Sequence, residues 1–134
     1  ANDVTARTIQ KEDNQWIRAK GFDPFCPLGP AIPIQEGFNL HIKNDYVEGE
    51  IRKISEPNKL KIQTTINNEK VQDFNTSDMI FNVKELVSFI SSVMTLYPGD
   101  IILTGTGVGP SKIKNGDIVN IEIENIGVLS NRVI

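Results

Sequence analysis

Cysteine and histidine are almost absent from this sequence: Cys26 and His41 stand alone among 134 residues. A single thiol excludes an internal disulfide, and one histidine beside it cannot complete a Cys/His zinc set. Any bound metal must therefore be held mainly by oxygen. Positive charge is in short supply too. The formal net charge is -3 with a pI near 5.1, and the basic stripe that nucleic-acid binders carry is missing, so nucleic acid is set aside as a partner. No apolar run approaches the roughly 20 residues of a membrane-spanning helix. The first residues also lack the basic-then-apolar order of a secretory signal. A cytoplasmic protein with no membrane partner is expected.

What is there suits one domain, or a piece of one: 134 residues at 39% hydrophobic content are enough for one core and too few for two. From Asp3 to about Arg18 the sequence predicts one or two helical turns, a polar break at Lys11 to Asn14, and a further turn carrying Trp16. "GFDPFCPLGPAIPI" holds four prolines and two glycines in fourteen residues, which predicts an ordered loop or edge segments. Two alternating bursts between residues 38 and 56 suggest a hairpin. "LKIQTTI" then sets Leu60, Ile62, Thr64 and Ile66 against Lys61, Gln63 and Thr65, the period of a half-buried strand that turns at "NNE".

"NVKE" offers Asn82 as a helix cap with Glu85 three residues on. Val83, Leu86, Val87, Ile90, Val93 and Met94 follow at helical spacing, a stripe expected in the core. "YPGD" and "NGD" are turn signals. "IILTGT" predicts a short strand entering the glycine-rich "GTGVGP", and "IVNIEIE" alternates as a strand does. The fold class is α+β, mainly β.

Four features could carry chemistry. The loop "TGTGVGP" follows a predicted strand but lacks the Lys-Ser/Thr ending of a phosphate loop; its functional reading is a set of backbone N–H groups and a Thr hydroxyl facing an anion. Glu48 with Glu50, and Glu122 with Glu124, are i, i+2 carboxylate pairs that could hold a hard cation, although alternating Glu on a wet strand face serves solubility as well. Cys26 has no neighbouring base, and His41 sits in an alternating stretch, so neither is assigned a catalytic role. The opening stretch is the fourth feature. On a helix Asp3, Arg7 and Gln10 would share a face, joining a metal-ligand carboxylate, a fixed cation and an amide, with Lys20 following in reach.

In order along the chain, "NDVTARTIQ", "W-x-x-AKGFD-x-F-x-PLGP", "MIF-x-V-x-ELVSFIS", "TLYPGDIILTGT" and "GD-x-V-x-x-x-IENIGVLSN" resemble the fumarylacetoacetate hydrolase family. The resemblance implies a β-roll with few helices, a homodimer, and an enzyme that cleaves, isomerises, decarboxylates or dehydrates small 2-oxo or enol acids around Mg²⁺, Mn²⁺ or Ca²⁺. It assigns Asp3 as a metal ligand whose Glu-x-Glu partners lie upstream of the motif, so residues 1–134 are expected to be the C-terminal part of a longer catalytic domain and inactive alone. It further assigns Arg7, Gln10 and Thr106 to substrate binding and Lys20 to both substrate binding and catalysis.

Two departures matter: Thr8 stands where an Asp is common, which bears on a helper hydrogen bond, and the glycine-rich loop lacks the usual proline and one further residue, which implies a reshaped pocket. Residues 37–57 form a longer connection than the family's. The expected activity is hydrolysis of an acylpyruvate-type 2-oxo acid in small-acid or aromatic catabolism. Its rivals are isomerisation or decarboxylation of a 2-hydroxydienedioate or oxaloacetate, dehydration of a 2-keto-3-deoxy sugar acid, and a non-catalytic binding or structural domain of the same fold.

Overall fold

The computed structural model describes residues 1–30, 54 and 56–134. The hairpin expected over 38–56, with His41 and the Glu48–Glu50 pair, falls outside the described residues but for positions 54 and 56. Helices α1 (Arg7–Glu12) and α2 (Ile17–Lys20) open the chain, followed by strands β1 (Lys61–Ile66) and β2 (Glu69–Asn75), a 3-10 turn at Thr76–Asp78, helix α3 (Val83–Val93), and strands β3 (Ile118–Ile123) and β4 (Gly127–Arg132). The four strands form one antiparallel sheet in the order β2-β1-β3-β4. The mainly β expectation holds.

Strand β1 forms for the reason its alternation suggests. Leu60 and Thr64 are buried on one face while Lys61 is exposed on the other. Asn67 and Asn68 reverse the chain with φ of 50° and 70°, the two positive values that a type I′ hairpin turn needs and that Asn tolerates better than most side chains.

Asn67 does more than turn. Its backbone N–H donates to the Ile118 carbonyl at 2.9 Å. Its side-chain Oδ1 accepts from the Ile118 N–H, and its Nδ2 donates to the buried carboxylate of Asp117, both also at 2.9 Å. The tip of one hairpin is thereby fastened to the first residues of β3.

At the other end of β1, the Lys61 N–H donates to Glu124 Oε2 at 3.1 Å and the Leu60 N–H to Thr76 Oγ1 at 2.8 Å. Glu124 thus lies just past β3 and serves the backbone of β1. The turns after α3 also form as expected: Tyr97 to Asp100 closes at 3.0 Å with Gly99 at φ 99°, and Lys114 to Asp117 at 3.0 Å with Gly116 at φ 92°.

Helix α3 is capped at both reciprocal positions, Glu85 N–H to Asn82 Oδ1 at 3.0 Å and Asn82 N–H to Glu85 Oε2 at 2.8 Å. Its stripe, however, is not core. Val83, Leu86 and Ile90 are only half-buried, and Val87, Val93 and Met94 are exposed. Local capping is enough to start this helix, but among the described elements none packs its length against the stripe.

The predicted strand at "IILTGT" is also absent. A strand exists through a partner's hydrogen bonds, and no described strand forms a backbone ladder with residues 101–106. No helix among the described residues is long and apolar enough to cross a membrane.

Asn67→Ala removes two side-chain hydrogen bonds at roughly 0.5–1.5 kcal/mol each and leaves a residue poorly suited to positive φ, so thermal unfolding should move down by several degrees while Asn68→Gly stays near wild type. A pH effect also follows. The amide of Asn67, and then the Lys114 N–H, hold the Asp117 carboxyl below its ordinary value of 3.8. A depressed folded pKa gives stability that is complete above the unfolded value and is lost as pH falls through the folded one. Asp117→Asn should therefore lose less stability than wild type when chemical denaturation at neutral pH is compared with denaturation below about pH 4.

Candidate active site

The N-terminal candidates are assembled at the corner between α1 and α2. Ala19 is fully buried, and its carbonyl accepts from the Ala6 N–H at 2.9 Å, which brings the start of α1 beside α2. Asp13, just past α1, receives a bidentate bond from Arg18 on α2, Nε to Oδ2 at 2.8 Å and NH2 to Oδ1 at 2.6 Å. That bond holds the Asp13 carboxyl below its usual range. At the end of α2, a Cβ on Gly21 would sit 2.8 Å from the Ile17 carbonyl oxygen, so only glycine lets the chain leave the helix so tightly.

This corner sends Lys20 back to the chain's opening residues. Its Nζ lies 2.5 Å from Asp3 Oδ2 and 3.1 Å from Thr5 Oγ1. Asp3 therefore does not share a helical face with Arg7 and Gln10. It precedes α1 in an irregular segment, where the Asn2 N–H is spent on the Pro27 carbonyl at 3.1 Å, and it meets Lys20 across the corner instead. Arg7 and Gln10 are on α1 and joined to each other, NH1 to Oε1 at 2.5 Å. That bond occupies the one acceptor of the Gln10 amide and leaves its NH2 group and the remaining guanidinium N–H groups as donors, an array that suits a carboxylate.

Thr106 stands apart from this corner. Its loop is held against β2, the opposite outer strand from β4, while the N-terminal segment meets β4, where Pro30 approaches Gly127 and Gly29 approaches Leu129. A Cβ on Gly107 would lie 2.5 Å from the Phe74 ring, and one on Gly109 would lie 2.7 Å from the Val71 carbonyl. The glycines are needed there because the loop lies directly on the strand.

Metal chemistry in this group rests on Asp3. Its Oδ2 is engaged by Lys20, and no described residue donates to Oδ1. Among the described residues no three His, Cys, Asp or Glu side chains converge. An Mg²⁺-like ion prefers an octahedral shell of oxygens, so the described residues fit such an ion as the donor of one ligand, Asp3. Glu122 and Glu124 are not a ligand pair: Glu122 is exposed on β3 and Glu124 is committed to the Lys61 backbone. Cys26 is half-buried at φ 60°.

Two residues that hold these groups, one at the corner and one at the Thr106 loop, are not marked by the sequence as site residues. Thr5, a partner of Lys20, lies inside the quoted "NDVTARTIQ" motif, which was the available signal. Gln72, which bonds the Thr106 loop, carries no local signal, since its partners are distant in sequence.

Comparison with known proteins places this geometry in context. The chain matches the model for the fumarylacetoacetate (FAA) hydrolase C-terminal region over residues 1–134. It is 42% identical to a mitochondrial oxaloacetate tautomerase of Rattus norvegicus, over all of this chain and 40% of that protein. In structure it is similar to a 2-hydroxyhepta-2,4-diene-1,7-dioate isomerase from Mycobacterium marinum, with a TM-score of 0.81 and 44% identity over 98% of this chain and 45% of that one. A maleylpyruvate hydrolase from Sphingobium sp. SYK-6, in complex with manganese(II) and pyruvate, superposes with a TM-score of 0.59 and 33% identity over 60% of this chain and 31% of that one. The chain spans less than half the length of these relatives. Motif order, a mostly β framework and a family model that covers residues 1–134 agree: the chain belongs to the fumarylacetoacetate hydrolase family.

Proposed function

We propose that the protein carrying this chain is a divalent-cation-dependent enzyme acting on small 2-oxo acids, and that its reaction is keto–enol isomerisation of an oxaloacetate-type acid. The observation that carries this reading is the Lys20 ammonium held between Asp3 and Thr5, at 2.5 and 3.1 Å, close to the donor pair Arg7–Gln10 in sequence and fold. The names of the rat and mycobacterial relatives support the reaction class.

In the isomerisation a C–H bond beside the carbonyl breaks, its proton passing to a base that the described residues do not supply, and negative charge gathers on the carbonyl oxygen until that oxygen takes up a proton to complete the enol. Lys20 is the residue of this chain suited to that oxygen: a compact cation with N–H donors, kept in one place by two partners. Arg7 and Gln10 would take the carboxylate and fix the angle of approach. Thr106, held on β2 and apart from this corner among the described residues, would add a hydroxyl donor as a separate contact with the ligand. Asp3 would contribute one oxygen to the cation, which when bound supplies Lewis-acid polarisation of the 2-oxo group. Mg²⁺ and Mn²⁺ are the ions to test, and Ca²⁺ the third.

A second reading, hydrolysis of an acylpyruvate, draws support from the similarity to the maleylpyruvate hydrolase. The two separate in one set of assays on the full-length protein: enol-to-keto conversion of oxaloacetate and cleavage of acetylpyruvate, each with Mg²⁺ or Mn²⁺ and after chelation. Isomerisation that depends on metal and is lost in Asp3→Ala is the expected result. Acetylpyruvate cleavage without isomerisation would establish the hydrolase instead, and no turnover together with no metal binding would leave a non-catalytic domain. Lys20→Met should lower kcat about a hundredfold and change KM much less, because the charge it opposes forms in the transition state.

A further inference from the structure

Gln72 is placed between the sheet and the glycine-rich loop in a way that fixes the direction of a proton. The register of β1 against β2 slips at this point: Thr64 pairs with Gln72 but Thr65 pairs with Lys70, so Val71 is an extra, bulged residue. Bulges redirect side chains and carbonyls. Here the Val71 carbonyl points at Gly109, which is at φ 92° and has no room for a Cβ, and the Gln72 side chain spans the remaining gap. Its Oε1 accepts from the hydroxyl of buried Thr64 at 2.9 Å, and its Nε2 donates over longer distances to the Val108 carbonyl at 3.3 Å and to Thr106 Oγ1 at 3.4 Å.

The orientation of this amide is settled by its partners. Turned over, it would set its oxygen against the Val108 carbonyl, two acceptors with no proton between them. With the NH2 group toward the loop, Thr106 Oγ1 is an acceptor on the Gln72 side, and its own single proton is left to point away from the sheet. Thr106 is exposed, so that proton faces open space. We propose that Gln72, itself held by Thr64, is a positioning residue that makes the Thr106 hydroxyl a hydrogen-bond donor to the incoming ligand, which selects for a carboxylate or keto oxygen over a donor group. The inference rests on the reading of Thr106 as a substrate contact made above.

The test uses the full-length protein and Gln72→Met, which keeps side-chain length and volume but loses both the amide donor and the acceptor. Oxaloacetate isomerisation is measured beside Thr106→Val and the double variant, and amide hydrogen exchange of residues 105–109 is followed in each. Gln72→Met should raise KM about two- to tenfold, the weight of a hydrogen bond or two, and leave kcat within about twofold. The double variant should be no worse than Thr106→Val alone, because both changes remove the same interaction. Exchange at 106–108 should quicken. A KM unchanged in Gln72→Met while Thr106→Val raises it would overturn the proposal, as would effects that multiply in the double variant. If Thr106→Val leaves KM unchanged, the functional reading of Thr106 is what fails, and unchanged exchange in Gln72→Met would then also overturn Gln72's hold on the loop.

Discussion

Side-chain hydrogen bonds at the two ends of β1 are the interaction on which the rest of the described framework depends. Hydrophobic burial, at Ala19, Leu60, Val119 and Leu129 among the described residues, is strong but has no direction; hydrogen bonds decide which segment lies beside which. They do so at both ends of β1. Asn67 and Asp117 fasten its far end to β3, while Glu124 and Thr76 cover the backbone N–H groups at its near end. At Leu60, Lys61 and Ile118 a side-chain oxygen accepts a backbone N–H at the end of a strand, where a missing hydrogen bond is costly.

The same logic builds the candidate site. The α1–α2 corner has one fully buried side chain, Ala19, and its geometry comes from the Ala6–Ala19 backbone bond, the Asp13–Arg18 pair and the Lys20 contacts with Asp3 and Thr5. The Asp13–Arg18 pair is well exposed at Arg18 and adds little stability on its own; what it does is tie the residue after α1 to α2. At the other outer strand the glycine loop is shaped by contact with Phe74, Val71 and Gln72. Two polar groups on separate parts of the sheet are thus each held by a few directional bonds.

The apolar stripe of α3 shows the limit of periodicity. Its spacing correctly marks a helix, and Asn82 and Glu85 cap it as the sequence suggests. Spacing describes a surface able to be buried, though, and cannot say what buries it; Phe89 and Val93 remain about 70% exposed here, at 71% and 69%. "IILTGT" failed as a strand for a related reason: β-branched residues favour extended backbone, but a ladder needs a neighbour.

What the sequence by itself determined was local and periodic: strand β1 and its Asn-Asn turn, the capped helix α3, the Pro-Gly and Asn-Gly turns, the alternation of β3, and a set of ordered motifs that identifies the family. These depend on residues within a few positions of one another, where backbone sterics and short-range hydrogen bonds act. Only the tertiary structure decided that Asp3 meets Lys20 rather than sharing a helical face with Arg7, that Glu124 serves Lys61 rather than a cation, and that Gln72 supports the loop of Thr106. Each of those joins residues 17 to 63 positions apart, and the bond that makes the pair exists only after the chain has folded back on itself.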